Sequence, residues 1–158
     1  MSRKKEMTKI LMVCLGNICR SPLAHGILAS KLPADQFYVD SAGTANYHIG
    51  DPPDHRSIAV ARQYGLDISK QRGQQFRSSF FDEYDIIYAM DESNFNNIIK
   101  LARDKADITK VKLFLDEDDS VKVQNVPDPY YGDQSGFEYV YHLLDQACET
   151  LAKKLQTR

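Results

Sequence analysis

The sequence predicts an α/β fold in three layers: a four-stranded parallel sheet flanked by helices, with an anion-binding loop after the first strand. Two observations carry this. Short apolar runs alternate with helical patterns along the chain, and the runs are apolar at nearly every position rather than at every second one, as strands buried on both faces require. The first run, Ile10-Leu11-Met12-Val13, also passes straight into Cys14-Leu15-Gly16-Asn17-Ile18-Cys19-Arg20-Ser21-Pro22, a tight turn at the start of a helix.

Taken in order, strand one is expected over about Thr8–Val13. Helix one follows over about Pro22–Lys31, with Ser21 as a good N-cap and Pro22 in the first turn, where its missing N–H costs nothing. Strand two is read at Phe37–Ser41, and a helix at Arg56–Tyr64 with Asp54 or His55 near its start. The run Asp85-Ile86-Ile87-Tyr88-Ala89-Met90 is the third strand, leading into a helix that Asp91 or Ser93 can cap. Strand four is Val111–Leu115. From about Gly136 to Lys154, Phe137, Val140, Tyr141, Leu144, Cys148, Leu151 and Leu155 fall on one helical face, which places Cys148 in the core. No periodic pattern occupies Leu115–Ser135, and an aperiodic stretch of that length in a small domain usually carries function or is disordered. Its acidic run, Asp116-Glu117-Asp118-Asp119, reads as a solvated turn.

Cys14 is the chemically informative residue. A cysteine ending a core strand is most often a small hydrophobe, but here a helix N-terminus follows it and an arginine stands six positions later. Backbone N–H groups in such a turn point inward, and the helix dipole favours an anion. The same donors and the Arg20 charge favour S⁻ over SH. The cradle fits a phosphate, and the thiolate can attack it. Gly16 lets the backbone turn, and in a parallel sheet this loop lies at the carboxyl ends of the strands, where ligands bind.

The segment Cys14–Ser21, a cysteine, five residues, arginine and serine, resembles the signature of the low-molecular-weight protein tyrosine phosphatases. Asp40-Ser41-Ala42-Gly43-Thr44, Ala89-Met90-Asp91-Glu92-Ser93-Asn94 and Val126-Pro127-Asp128-Pro129-Tyr130-Tyr131 resemble the same family in the same order, so the likeness covers Lys9 to Leu155. It implies the same four-stranded α/β fold and the hydrolysis of phosphotyrosine through a cysteinyl-phosphate. Cys14 is then the nucleophile, Arg20 binds the phosphate in the transition state, and Asp128 is the general acid and base. A lone loop aspartate would otherwise be read as a turn residue.

The amides of Leu15, Gly16, Asn17, Ile18, Cys19 and Arg20 would line the phosphate, with Asn17 and Ser21 holding the loop and Ser21 hydrogen-bonded to the Cys14 sulfur. Relatives often pair this Asn with a histidine after helix two. Here Ser69-Lys70-Gln71-Arg72-Gly73-Gln74 has none, leaving Lys70 or Gln71 to take that place. Tyr47, Tyr130 and Tyr131 are expected to wall a slot for an aromatic ring, with His48 and Ile49 tuning it. Asp91 is read first as a helix cap and second as a support of the site. Cys19 either fills space under the cradle or traps oxidised Cys14 as a disulfide.

Other functions fit less well. Arsenate reductases share the loop but relay electrons through further cysteines after the third strand, and Cys148 stands alone in a helix. Protein arginine phosphatases typically carry threonine where Ile18 stands. A non-catalytic phosphotyrosine-binding module would be expected to lack Cys14 or Asp128.

At 158 residues the chain reads as one domain, with residues 1–7 as a flexible tail. A net charge of −2 and a pI near 6.1 imply no bulk attraction to nucleic acid. The apolar run after Arg3-Lys4-Lys5 is too short for a membrane span and has no cleavage site of the secretory kind. Three scattered cysteines make neither a disulfide framework nor a metal set, and no cofactor is expected. A thiolate nucleophile favours a reducing compartment, so the expected location is cytoplasmic and the expected partners are phosphotyrosine-containing proteins.

Overall fold

The sheet is parallel throughout, in the order β2-β1-β3-β4, in the computed structural model, which describes residues 7–157. The tail expected over residues 1–7 lies, except for Met7, outside the described residues. The first strand, β1 (Thr8–Cys14), pairs with β2 (Phe37–Gly43) on one side and with β3 (Ile86–Ala89) on the other. The short β4 (Val111–Leu113) closes the far edge against β3. Ile10, Leu11, Met12 and Val13 are fully buried, which is why this strand reads as an unbroken apolar run.

Alternate residues of β1 feed two cores. Ile10, Met12 and Cys14 pack with α1 (Arg20–Lys31), α2 (His55–Gln63) and α6 (Gln134–Gln156), whose buried side chains include Leu23, Ile27, Val60, Phe137 and Leu144. Leu11 and Val13 face the other layer, where Phe80 and Phe81 of α3 (Phe80–Glu83) and Ile98 of α4 (Glu92–Ile99) meet them. The three expected layers are therefore present. Cys148 is fully buried in the first core, as its helical spacing indicates.

The structure corrects several details. The four-residue α3 and five-residue α5 (Lys105–Thr109) were not expected, being shorter than the periodicity needed to reveal them. The apolar run of strand four continues into Phe114 and Leu115, but these turn into a 3₁₀ segment, Phe114–Glu117, that buries them against the α6 side. The acidic run is not simply solvated. Asp118 is buried and accepts from Ser120 N (3.0 Å), Ser120 Oγ (2.6 Å) and Thr150 Oγ1 (3.2 Å), tying the start of the long loop to α6.

Ser21 is not the N-cap of α1. The helix begins at Arg20 with Cys19 at the cap, and no side chain caps it. The Ser21 hydroxyl is used instead inside the loop. The uncapped helix start leaves N–H groups for an anion. Because β1 lies between β2 and β3, the crevice at the carboxyl ends of β1 and β3 is the topological switch point of the sheet, and both Cys14 and Asp91 stand there.

Candidate active site

The loop from Cys14 to Arg20 closes around the Cys14 sulfur. The Asn17 N–H donates to Sγ at 3.3 Å, and Ser21 Oγ lies 3.1 Å from it. That hydroxyl also accepts from Asn17 Nδ2 (2.8 Å), and its proton has a second, longer acceptor in Ala42 O (3.4 Å). A thiolate has no proton to give, so with Cys14 ionised Ser21 is the donor and the sulfur receives two hydrogen bonds from the loop. Asn17 holds φ at +58°, a left-handed conformation that Asn tolerates better than most residues.

The support of Asn17 differs from the expectation. Neither Lys70 nor Gln71 provides it; the Gln74 backbone N–H donates to Asn17 Oδ1 at 3.0 Å. Gln74 is itself fixed, its Nε2 donating to Asp40 Oδ2 (3.2 Å) and Ser41 O (2.9 Å) while its carbonyl accepts from Gly43 N (2.8 Å). Gln71 donates elsewhere, to Pro22 O (3.1 Å). The end of β2 supports the loop from the other side, with Thr44 N and Ala45 N donating to Cys14 O and Leu15 O, each at 2.9 Å. A Cβ at Gly43 would lie 2.7 Å from Leu15 O, so only glycine permits this approach.

Arg20 is nearly inaccessible, with 3% of its side chain exposed. Nη1 donates to Asp91 Oδ2 (2.6 Å) and Val126 O (3.1 Å), and Nη2 lies 3.6 Å from Asp128 Oδ2. Burial alone would lower its pKa, but the charges of Cys14, Asp91 and Asp128 more than offset this and hold it above the ordinary arginine value. Asp91 combines the two roles read for it: Oδ1 caps α4 through Asn94 N (2.8 Å) while Oδ2 orients Arg20. Asp128 is brought to the same place by the long loop, which Val126 pins to the sheet by donating to Met90 O (2.8 Å). Its Oδ1 accepts from Tyr130 N at 3.1 Å.

A cysteine, a buried arginine and a loop carboxylate thus converge on one cleft, lined by Cys14, Leu15, Gly16, Ile18, Cys19, Arg20, Tyr47, His48, Asp128, Tyr130 and Tyr131. The sequence model described as "Low molecular weight phosphotyrosine protein phosphatase" matches residues 9–158. The chain belongs to that family. The low molecular weight phosphotyrosine protein phosphatase of Saccharomyces cerevisiae is 37% identical, over 98% of this chain and 99% of its own. A crystal structure of a protein tyrosine phosphatase from Entamoeba histolytica superposes with a TM-score of 0.90 at 35% identity, covering 95% of this chain and 97% of the other. Vibrio vulnificus Wzb in complex with benzylphosphonate has a TM-score of 0.84 at 34% identity, with coverages of 94% and 99%.

In this phosphatase the other expected residues divide. Leu15, Gly16, Ile18 and Cys19 line the cleft, whereas Asn17 and Ser21 are buried behind it and hold the loop in shape. The tyrosines stand at the mouth rather than deep in a slot, Tyr131 being 93% and Tyr47 70% exposed. Tyr130 and Tyr131 meet edge-on with ring centroids 4.9 Å apart. Ile49 does not line the cleft, but His48 does. Its ring packs on the loop, where a Cβ at Gly16 would come within 3.2 Å of Cδ2, and Nδ1 is held by Asp51 Oδ2 at 3.1 Å. The wall loop is braced by Gly73, whose N–H donates to Asp51 O while its carbonyl accepts from Gly50 N, each at 2.8 Å. Cys19 is buried in the cleft wall, and burial, then the Asp54, Cys14 and Asp128 charges, push its thiol well above the ordinary range. Among the described residues, no cluster of three or more His, Cys, Asp or Glu could hold a metal ion, and no helix is long and apolar enough to cross a membrane.

Proposed function

We propose that this chain, acting as a single domain in the cytoplasm, hydrolyses phosphotyrosine in proteins through a cysteinyl-phosphate on Cys14. The observation that carries the reading is the convergence of the Cys14 sulfur, its loop donors, Arg20 and Asp128 on one cleft. Phosphoryl transfer needs an in-line nucleophile, stabilisation of the equatorial oxygens and a proton for the departing oxygen. Cys14 S⁻ forms the S–P bond as the P–O bond to the phenol breaks, and Asp128 gives its proton to the phenolate. Asp128 then takes a proton from water, whose oxygen attacks phosphorus. The S–P bond breaks, inorganic phosphate leaves, and the Ser21 hydroxyl supports the returning thiolate. The amides of residues 15–20 bind the oxygens. With Nη1 engaged by Asp91 and Val126 O, we assign the Nε–Nη2 edge of Arg20 to the phosphate as a bidentate fork.

The apolar side chain of Ile18 in the cleft lining and the exposed tyrosines Tyr47, Tyr130 and Tyr131 suit a phenyl ring. That the Vibrio vulnificus relative forms a complex with benzylphosphonate, a phosphonate carrying a phenyl ring, supports this reading. Phosphotyrosine, phosphoserine and phosphoarginine peptides turned over in parallel, with arsenate reduction as a side assay, test the assignment. Phosphotyrosine should have by far the highest kcat/KM. Equal values for the three would remove the aryl slot, and a phosphoarginine preference would move the chain to the arginine phosphatases.

Cys19 lines the same cleft as Cys14, which favours a redox role. Peroxide converts Cys14 to a sulfenic acid, and the Cys19 thiol displaces water from it to form a Cys14–Cys19 disulfide. Oxidation also removes the Cys14 negative charge, one of the contributions that hold Cys19 protonated. Peroxide-treated enzyme should carry this linkage by peptide mass mapping and regain activity with thiol, and Cys19→Ser should recover less. Equal recovery without a linkage would leave Cys19 as packing.

A further inference from the structure

Arg56 does not line the cleft, yet its side chain joins the two segments that carry the chemistry. On one side Nε and Nη2 form a fork with Asp54, at 3.0 Å to Oδ1 and 3.0 Å to Oδ2. Asp54 is almost buried, and its backbone N–H donates to Ile18 O of the phosphate loop at 2.8 Å. On the other side Nη2 donates to Tyr130 O (2.8 Å) and Nη1 to Gly132 O (3.0 Å). The guanidinium carbon lies 4.5 Å from the centroid of Phe137 at the start of α6 and 5.6 Å from that of Tyr130.

The segment it grips is a unit. Gly132 N donates to Pro129 O (2.9 Å) and Tyr130 N to Asp128 Oδ1 (3.1 Å), so a shift of Tyr130 carries the Asp128 carboxyl with it. Between Val126, bonded to Met90 O, and Asp133, which caps α6, Arg56 supplies two fixed donors to this turn. A planar fork can serve a carboxylate and two carbonyls together, which a lysine ammonium cannot do with the same geometry.

We propose that Arg56 is a positioning residue for proton transfer: it locks the Asp128 turn to the phosphate loop through Asp54 and thereby sets the reach of the carboxyl to the leaving oxygen. The inference rests on Asp128 being the proton donor. Displacements of about 1 Å in such constellations cost up to roughly 10²-fold in rate.

The test is kcat/KM for a series of aryl phosphates of graded leaving-group acidity, measured for Arg56→Met and Arg56→Lys, each with and without Asp128→Asn. Arg56→Met should lose about ten-fold or more with poor leaving groups and little with acidic ones, and the loss should vanish in the Asp128→Asn background. Arg56→Lys should fall between the two. A uniform loss across leaving groups that adds in full to Asp128→Asn would make Arg56 a structural residue only and overturn the proposal. If Arg56→Met shows no cooperative melting transition, the same comparison is made with Arg56→Lys, where leaving-group-independent loss has the same consequence. A loss for Asp128→Asn alone that is equal across the leaving groups would instead remove the acid assignment, and the proposal with it, whatever Arg56 does.

Discussion

Cys14→Ser is expected to lower phosphotyrosine hydrolysis by roughly 10⁴-fold or more while leaving binding of a phosphate analogue measurable. The two effects separate because they depend on different atoms. In the proposed mechanism the anion is held by loop amides and Arg20, and the substitution removes neither. The proposed nucleophile, however, changes from a sulfur that receives the Asn17 N–H and lies beside the Ser21 hydroxyl into an alcohol oxygen, a much poorer nucleophile. Ser21 cannot serve as a base for it, since a neutral hydroxyl is far too weakly basic to take the proton. Turnover by Cys14→Ser should be followed with phosphotyrosine peptide and binding with vanadate by calorimetry. Substantial residual turnover would remove Cys14 from its role. Loss of both activities together with a lower melting temperature would show only that the loop had collapsed.

Asp128→Asn should slow hydrolysis of aryl phosphates with poor leaving groups by roughly 10²–10⁴-fold. The loss should shrink as the leaving group becomes more acidic, because a stable phenolate needs less help in departing. Asn can still accept from Tyr130 N through its carbonyl oxygen, so the turn need not change shape. Nor does Arg20 depend on Asp128 for its orientation, being fixed by Asp91 and Val126 O. If breakdown of the cysteinyl-phosphate limits kcat, the loss persists there for every substrate, so the transfer step has to be read from kcat/KM or from burst kinetics. Equal cost for good and poor leaving groups would make Asp128 a loop residue, and Asp91 would be the next carboxylate to examine.

The parts of this site legible in the sequence are those whose chemistry is local along the chain. Strand one, the turn and the first helix occupy consecutive residues, so Cys14, Arg20 and the glycine between them can be read together. The sheet is legible because Ile10–Val13 are apolar on both faces, as a covered parallel strand requires, and because such runs alternate with helical patterns. What stayed hidden depends on partners with no side-chain identity. Asn17 is held by the backbone N–H of Gln74, which a search for a histidine or lysine cannot find. Arg56 donates to two carbonyls, and any residues at 130 and 132 would supply them. Why Gly43 and Gly73 must be glycine shows only in the neighbouring backbones, His48 O standing 2.2 Å from where a Gly73 Cβ would lie. Ser21 was misplaced for a related reason. Its residue type and position both suit a cap, and the sequence offers no sign that the hydroxyl is already committed to Cys14 and Asn17.

The central claim is that phosphoryl groups pass through the Cys14 sulfur. Rapid acid quench of the enzyme during turnover of phosphotyrosine peptide, followed by proteolysis and mass spectrometry of the fragments, tests it most directly. A transient phosphoryl adduct should appear on the peptide containing Cys14, on sulfur, at a rate that accounts for release of the dephosphorylated product, and should persist longer in Asp128→Asn. Release of product at the full rate with no adduct on Cys14, or with the adduct on another residue, would contradict the account.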